Sequence, residues 1–267
     1  MNPVTVRAGD SPVILGFPHG GTFVPDAIRA RLNDNGLILA DTDWHIARLY
    51  DGLLPGATCV EATFHRYVID ANRDPSGHSL YPGQNTTTLC PLTDFDGVPI
   101  WKSGQEPAAD DIEARRKQFH APYHAALAAE VERVKSRHGV AIVHDCHSIR
   151  SRIPYLFDGV LPDFNIGTDN GKTCDAGIER LAAGIAAASS RTSVLNGRFR
   201  GGWTTRHYGQ PGSGVHAIQM EIAQSAYLAE EAPPFAFDPA KADVTRSVLR
   251  DILAAIASCA QRMPRHG

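Results

Sequence analysis

The chain has 267 residues, of which 43% are hydrophobic and 21% charged, a composition that suits a globular protein with one core or at most two. A formal net charge of −3 gives no support to a nucleic-acid-binding surface, and no apolar run reaches the ~20 residues of a membrane-spanning helix. Five scattered cysteines without a CxxC pair fit a reducing compartment, and the N-terminus does not resemble a signal peptide, so we expect a cytoplasmic protein.

Short apolar runs and one amphipathic stretch alternate along the first half of the chain. Strands are predicted over 11–17, 57–62 and 66–70. The apolar spacing within 41–54 predicts a helix, with Asp41 or Asp43 near its N-terminus. Residues 75–107 are rich in Gly, Pro and Thr and predict a long loop of the kind that often carries function.

The second half repeats the alternation with longer elements. A long amphipathic helix is predicted over 109–139, in which Pro122 can introduce a bend. Further strands are predicted over 140–148, 163–168, 192–197 and 213–225, and further helices over 174–188 and 238–262, the last capped by Asp238. This order predicts an α/β fold, with a mixed, largely parallel sheet flanked by helices, in a single domain spanning 1–267.

Polar clusters repeatedly follow the apolar strands. In open α/β sheets, ligands bind outside the carboxyl ends of the strands. We therefore expect His19, the stretch Asp70–Arg73 and His147 to meet at one rim of the sheet, although they lie far apart in the chain.

Two of these clusters contain residues that metals bind. His19 stands in FPHGG, where the glycines allow a close approach of the backbone, although a histidine in a tight turn can also be incidental. In DTDWH, either Asp43 or His45 is a candidate ligand, and the spacing does not choose between them. Asp41 is more typical of a helix cap.

The stretch HDCHS places two histidines three residues apart on a strand. His144 and His147 then point to opposite faces, so only one of them is expected to bind a given metal. His147 lies nearer the loop, and Asp145 is its candidate partner. Cys146 is either a nucleophile paired with His147 or a buried hydrophobic residue, and burial is the more common fate of a free cysteine.

A carboxylate and several arginines complete the candidate chemistry. Glu221 ends the β pattern of QMEIAQS, where a partly apolar setting suits a general base, although alone it also fits a solvated strand end. Arginines in the loops 70–75, 148–152 and 198–209 indicate an anionic substrate if these loops converge. GxSxG, GxGxxG, P-loop and HExxH motifs are absent from the sequence.

Long motifs, in order from about residue 12 to 228, resemble the N-formylglutamate amidohydrolase family, whose members are also called N-formylglutamate deformylases. The motifs are FPHGGTFVP, DTDWHIARLYD, RYVIDANRDPSG, LYPGQNTT, HDCHSIRSRIPYLFDGVLPDFNIGT, NGRFRGGWTTRHYG and AIQMEIAQSAYL. The resemblance implies a fold similar to the zinc carboxypeptidases and aspartoacylase, of the phosphorylase/hydrolase-like kind. It also implies hydrolysis of N-formyl-L-glutamate to formate and L-glutamate in histidine degradation.

The resemblance also implies one bound divalent metal, expected to be zinc. His19 and His147 match metal ligands, and the acidic ligand falls in the segment that matches DTDWHIARL, where we place it on Asp43 with Asp41 and His45 as alternatives. Thr22 stands where the carboxypeptidases carry a glutamate ligand, so the third ligand departs from their pattern.

The remaining roles concern catalysis and substrate binding. Glu221 matches the general base, and Asn72 with Arg73 resembles the pair that holds a substrate carboxylate in aspartoacylase-like enzymes. Arg150 and Arg206 are further candidates for the second carboxylate. The expected partner is thus a small anionic substrate, with no nucleic acid or membrane.

Two other functions share these features. One is a metal-dependent deacylase of another acidic N-acyl amino acid, such as N-formylaspartate. The other is a non-catalytic protein that binds acidic amino acids. The sequence predicts no oligomeric state.

Overall fold

A mixed seven-stranded sheet forms the centre of the described structure, a computed structural model that covers residues 2–78 and 85–263. The strands are β1 Val4–Arg7, β2 Val13–Phe17, β3 Thr58–Ala62, β4 Ala141–Ile149, β5 Phe164–Gly167, β6 Ser193–Leu195 and β7 Val215–Ala223. Their order across the sheet is β1-β3-β2-β4-β7-β5-β6.

Four neighbouring strands, β3, β2, β4 and β7, run parallel, whereas β1 pairs antiparallel with β3 and β5 antiparallel with β7. The last strand, β6, is parallel to β5. The central strands β4 and β7 are buried along their whole length, as expected for a parallel sheet covered on both faces. The predicted α/β class with a mixed, largely parallel sheet is confirmed.

Helices cover both faces of this sheet. The described α-helices are α1 Asp26–Arg29, α2 Asp34–Leu37, α3 Ile46–Tyr50, α4 Ala109–Arg115, α5 Ala121–His138, α6 Ala176–Ala188, α7 Trp203–Tyr208 and α8 Pro239–Ala260. Apolar side chains of α3, α6 and α8 form one core against one face of the sheet, and those of α5 form a second core against the other. Within the described ranges, no helix is both long and apolar enough to cross a membrane.

Two predictions in the first half of the chain are wrong. Residues 66–70 form a buried turn and coil rather than a strand. The helix predicted within 41–54 is only the short α3, and its N-terminal carboxylates do not cap it: Asp41 accepts hydrogen bonds from Tyr67 Oη at 2.9 Å and the Phe95 N–H at 3.0 Å. Tertiary partners therefore outcompete the local cap at this point.

Other elements agree with the sequence pattern with small differences. The edge strand β1 was not predicted: its four residues, VTVR, do alternate apolar and polar side chains, but the run is short and three of the four residues are exposed. The irregularity expected at Pro122 is a π-helical turn at Arg116–His120 between α4 and α5, next to the position where proline supplies no N–H. Asp238 does cap α8, accepting from Ala240 N and Lys241 N.

The described part of the loop 75–107 contains no helix, and its residues 79–84 lie outside the described ranges. The single domain over 1–267 stays a prediction.

The register of the central strands brings polar residues together. His147 on β4 pairs directly with Glu221 on β7, which in turn pairs with Asn165 on β5. His19 lies just beyond the end of β2, the other neighbour of β4. These positions fall toward the carboxyl end of the parallel strands, where the rim was expected.

Candidate active site

Three buried side chains from distant parts of the chain converge beyond β2 and β4. His19 Nδ1 and His147 Nδ1 lie 3.1 Å apart. Asp43 Oδ2 lies 3.4 Å from His147 Nδ1 and 3.9 Å from His19 Nδ1. Among the described residues, this is the group of side chains whose donor atoms are arranged to hold a metal ion. It contains the three residues that the sequence singled out.

The loop after β2 reaches the site because Gly21 packs directly against the backbone of residues 62–64. A Cβ on Gly21 would lie 2.4 Å from the carbonyl carbon of Thr63, a contact that no side chain tolerates. The loop is also joined to the segment before α3, since the Asp43 N–H donates to the His19 carbonyl at 3.1 Å. His19 and Asp43 are thereby fixed relative to each other before any ligand binds.

Asp43 is held as a carboxylate by two donors in addition to the histidines. The Arg66 guanidinium donates to Oδ1 at 2.8 Å and the Ser148 N–H to Oδ2 at 3.0 Å. Burial alone raises the pKa of this carboxyl, but Arg66 and the neighbouring imidazoles outweigh burial and lower it. Asp43 therefore supplies a negatively charged oxygen at neutral pH.

Each imidazole also has a carboxylate on its far side. His19 Nε2 lies 2.7 Å from Asp70 Oδ1, and His147 Nε2 lies 3.0 Å from Asp145 Oδ1. A proton on His19 Nε2, donated to Asp70, leaves the His19 Nδ1 lone pair directed toward Asp43 and His147. His147 Nε2 lies between an acceptor, Asp145 Oδ1, and a donor, Asn72 Nδ2 at 3.1 Å, while its Nδ1 faces His19 and Asp43. This carboxylate–imidazole arrangement orients the histidines in many metal sites.

The charges around the site favour a positive charge between His19 Nδ1, His147 Nδ1 and Asp43 Oδ2. Burial lowers the pKa of His19 to about 4, with Arg66 adding to the effect, so the imidazole is neutral and able to bind a metal. Burial also lowers the pKa of His147, but Asp145 and Asp43 outweigh it and raise the pKa well above its usual value. A proton and a cation therefore compete for the same position.

The donor set fits a divalent cation. Two imidazole nitrogens and one carboxylate oxygen are the ligands of one class of catalytic zinc site, with a fourth position left for water or substrate. Ligand atoms ~2.0–2.1 Å from a tetrahedral zinc ion lie about 3.3 Å from one another, and the observed separations span 3.1–3.9 Å. The residues present are thus compatible with zinc.

Glu221 projects from β7 beside this group. Burial, the main cause, raises the pKa of its carboxyl to about 8, Asp43 raises it further and His147 opposes the shift. Gln219, two residues earlier on the same face, donates from Nε2 to Glu221 Oε2 at 3.1 Å. A carboxyl group with a pKa near neutrality suits acid–base chemistry.

Strand alternation divides the HDCHS stretch as expected. Asp145 and His147 face the site, whereas His144 and Cys146 point to the opposite side, where His144 Nε2 lies 3.3 Å from Tyr50 Oη. Cys146 is fully buried in the core, and burial raises the pKa of its thiol well above the usual value. A thiolate nucleophile at this position is therefore disfavoured.

A pocket opens beside the candidate metal ligands and Glu221. The described residues that line it are His19, Arg66, Asn72, Arg73, Asn85, Thr86, Thr87, Phe95, His147, Ser148, Ile149, Leu156, Arg198, Phe199, Gly202, Gln219 and Glu221. Besides Arg66, which contacts Asp43, the guanidinium groups in this described lining belong to Arg73 and Arg198. Arg198 donates to the Leu156 carbonyl at 3.0 Å and to the Asn85 carbonyl at 3.2 Å.

Two predicted substrate-binding arginines do not belong to the described lining of this pocket, and their role stays a prediction. Arg150 Nη2 donates to Asp96 Oδ2 at 2.8 Å. Arg206 donates from Nε to the Gly201 carbonyl at 2.9 Å and approaches Asp169 at 3.4 Å. Both guanidinium groups are thus engaged with acceptors of the protein.

The predicted pair Asn72 and Arg73 does line the pocket, and both side chains also make hydrogen bonds within the protein. Asn72 Oδ1 accepts from the Thr204 N–H at 2.8 Å, and Nδ2 lies 3.1 Å from His147 Nε2. Arg73 donates to the carbonyl and hydroxyl of Thr87 at 3.0 and 2.8 Å.

Some residues around the site were not singled out from the sequence. Arg66 was assigned to a strand, Gln219 was not considered, and Arg198 was only one member of a loop with several arginines. The alternation Gln219, Glu221 along β7 was a usable signal for Gln219. No sequence signal identified Arg66, whose importance arises from a tertiary contact with Asp43.

The chain is similar to several known proteins over nearly its whole length. A family model described as N-formylglutamate amidohydrolase matches residues 11–228. N-formylglutamate deformylase of Pseudomonas aeruginosa is 45% identical over 94% of both chains, and the protein of that name from Pseudomonas putida is 45% identical over 95% of both chains.

Solved structures agree with the sequence comparison. The crystal structure of N-formylglutamate amidohydrolase from Ralstonia eutropha JMP134 superposes with a TM-score of 0.81 at 25% identity, covering 98% of this chain and 99% of that chain. Gene product Atu2144 from Agrobacterium tumefaciens, at 20% identity and a TM-score of 0.74, shares the fold. The chain therefore belongs to the N-formylglutamate amidohydrolase family and is a hydrolase.

Proposed function

We propose that this chain hydrolyses N-formyl-L-glutamate to formate and L-glutamate. The observation that carries the proposal is the buried group of His19, Asp43 and His147 with Glu221 beside it, at a pocket whose described wall contains Arg73 and Arg198. The substrate is a small dianion, which matches a pocket whose described lining carries Arg73 and Arg198 in addition to Arg66. Membership of the family supports the choice of the formyl group and of glutamate.

His19, Asp43 and His147 hold one divalent cation in this proposal, and the donor set favours zinc. The ion supplies Lewis-acid polarisation of the formyl carbonyl and lowers the pKa of a water molecule toward ~7. Asp70 and Asp145 keep the two imidazoles oriented with Nδ1 toward the site.

Glu221 moves the proton in both halves of the reaction. It accepts a proton as water attacks the formyl carbon, and it donates that proton to the glutamate nitrogen as the C–N bond breaks. Formate and the free amino group of L-glutamate result.

Arg73 and Arg198 recognise the two carboxylates of the substrate. Guanidinium groups bind carboxylates through paired hydrogen bonds, which fixes orientation as well as charge. Ile149, Leu156 and Phe199 give the pocket an apolar wall against which the two methylene groups of the glutamate side chain pack.

The test is formate release from N-formyl-L-glutamate by the purified protein, with metal analysis. We expect release that is lost on chelation and restored by a divalent ion. Glu221→Gln, with its metal content retained, should lower kcat by about 10²–10⁴-fold. Turnover that survives complete metal removal, or near-normal kcat in Glu221→Gln, contradicts these roles. The same assay with N-formyl-L-aspartate tests whether the protein discriminates between substrates by the length of their side chain.

A further inference from the structure

Two buried side-chain amides near the site share one arrangement. Gln219 Oε1 accepts from the Gly202 N–H at 2.6 Å, and Gln219 Nε2 donates to Glu221 Oε2 at 3.1 Å. In Asn72, Oδ1 likewise accepts from the Thr204 N–H, so its Nδ2 is the atom directed at His147. In both cases a backbone N–H of the segment before and within α7 decides which end of the amide faces the site.

For Gln219 the orientation is fully determined. The Gly202 N–H can only donate, so the atom facing it must be the carbonyl oxygen, and the NH₂ group is left facing Glu221. Gly202 approaches closely enough that a Cβ there would lie 2.4 Å from Asn72 Nδ2. A side chain at position 202 would therefore collide with Asn72, and glycine permits the close approach of this segment.

Glu221 needs such a partner because little else on β7 restrains its side chain. Its carboxylate is almost entirely buried, and a buried carboxylate requires hydrogen-bond donors to hold one geometry. Asn165 donates to the Glu221 main-chain carbonyl at 3.1 Å, which restrains the strand and not the carboxylate. The donor that the structure places on Glu221 Oε2 is Gln219.

We infer that Gln219 is a positioning residue for Glu221, holding its carboxylate toward the pocket and itself oriented by the Gly202 N–H. This inference rests on the proposed role of Glu221 as general base. Gln219 lines the pocket, but its amide oxygen is bonded to the Gly202 N–H and its amide nitrogen to Glu221, so we assign its effect on the reaction to Glu221.

The variants Gln219→Met and Gln219→Glu test the hydrogen bond from Gln219 Nε2 to Glu221 separately from the other contacts of the Gln219 side chain. Methionine keeps the length and removes both hydrogen bonds. Glutamate keeps an acceptor for the Gly202 N–H and removes the donor to Glu221. We expect both variants to lower kcat by about 10–100-fold, as is typical for partners that orient site residues, with KM changed by less than about twofold.

The decisive measurement is a double-mutant cycle with Glu221→Gln. If Gln219 acts through Glu221, then Gln219→Met in the Glu221→Gln background changes kcat by less than about twofold, because residues acting as a unit are not additive. Gln224→Met is the matched control: Gln224 is a buried glutamine whose amide donates to the Thr42 carbonyl at 2.9 Å. Its effect should be equal in both backgrounds.

The outcomes are distinguishable. A fall in kcat of equal size in both backgrounds, a change confined to KM, or near-normal kcat in Gln219→Glu overturns the inference while leaving the proposed function intact. Failure of the wild-type protein to release formate overturns the proposed function, and this inference with it. Metal content and thermal midpoint, measured for every variant, show that the kinetic change does not arise from lost metal or unfolding.

Discussion

At the scale of single residues, the chemistry depends on which partner each charged side chain takes. His19 and His147 each face a carboxylate on one nitrogen, and the other nitrogens face each other. Alternation along β4 correctly separates His147 from His144, because the side chains of a strand alternate whatever surrounds them. The arginines are different, since a long flexible side chain takes whichever acceptor lies within reach.

The arginines therefore mark the limit of prediction from sequence at this scale. Arg150, Arg206 and Arg198 all lie in loops that were expected to meet the substrate. Arg150 pairs with Asp96, and Arg206 with Asp169 and the Gly201 carbonyl. Arg198 donates to the Leu156 and Asn85 carbonyls and belongs to the described lining of the pocket. Those acceptors belong to distant or irregular segments, and no spacing in the sequence indicates them.

Arg198→Gln should weaken recognition of the glutamate side chain. A hydrogen bond to a charged group contributes about 1.5–3 kcal/mol, so kcat/KM for N-formyl-L-glutamate should fall about 10–100-fold. N-formyl-L-glutamine has the same length without the charge, and its kcat/KM should change much less. Steady-state kinetics on both substrates measure the ratio.

Arg150→Gln is the control for this experiment, because it removes a guanidinium that pairs with Asp96 outside the pocket. It should leave the ratio of the two substrates near the wild-type value. An unchanged ratio of the two kcat/KM values in Arg198→Gln would contradict the assignment of Arg198 to the side-chain carboxylate of the substrate. A large fall of this ratio in Arg150→Gln would contradict the placement of Arg150 outside the substrate site.

At the scale of elements, long regular segments followed from sequence and short buried ones did not. The strand β4 begins with an apolar run, β7 contains regularly placed apolar residues, and α5 and α8 carry theirs at helical spacing, and all four elements appear close to the predicted bounds. The turn at 66–70 has the composition of a strand, yet Arg66 must reach Asp43 while Tyr67 reaches Asp41. Contacts from this turn to the segment before α3 decide its path.

The packing of α5 against the loop that carries Asn72 gives a prediction on acid stability. His124 on α5 donates from Nε2 to the Ala71 carbonyl at 2.7 Å, and its Nδ1 lies 3.1 Å from Tyr208 Oη on α7. Burial lowers the pKa of His124 to about 3, with His120 adding to the effect. The folded protein therefore keeps this imidazole neutral at pH values where the unfolded chain protonates it.

The protonation of His124 makes the free energy of unfolding depend on pH. As pH falls below ~6.5, the unfolded chain gains a proton at His124 that the folded protein does not take until near pH 3, so the free energy of unfolding decreases by up to ~1.4 kcal/mol per pH unit. His124→Gln keeps a donor for Ala71 and removes this titration. Urea unfolding should show that the difference in free energy of unfolding between wild type and variant becomes smaller as the pH is lowered from 7 to 4. Parallel curves over that range would contradict the assignment.

At the scale of the whole molecule, the candidate metal site exists only in the folded chain. His19, Asp43 and His147 come from the loop after β2, the segment before α3 and strand β4, which are brought together by the sheet order and its parallel register. Unfolding separates them, so a cation that binds all three binds the folded state far more tightly than the unfolded one. Metal affinity is consequently coupled to the stability of the entire sheet.

This coupling predicts a thermal shift that depends on the site and not on catalysis. Free zinc at ~100 times its dissociation constant should stabilise the metal-free protein by about 2.7 kcal/mol, which raises the thermal midpoint by about 5–10 °C in a chain of this size. His19→Ala removes one of three ligands and should abolish most of the increment. His45→Gln, beside Asp43 but with Nε2 bonded to the Phe235 carbonyl, should keep it. Calorimetry with and without zinc on the three proteins measures the effect, and an equal increment in His19→Ala and wild type would place the metal elsewhere.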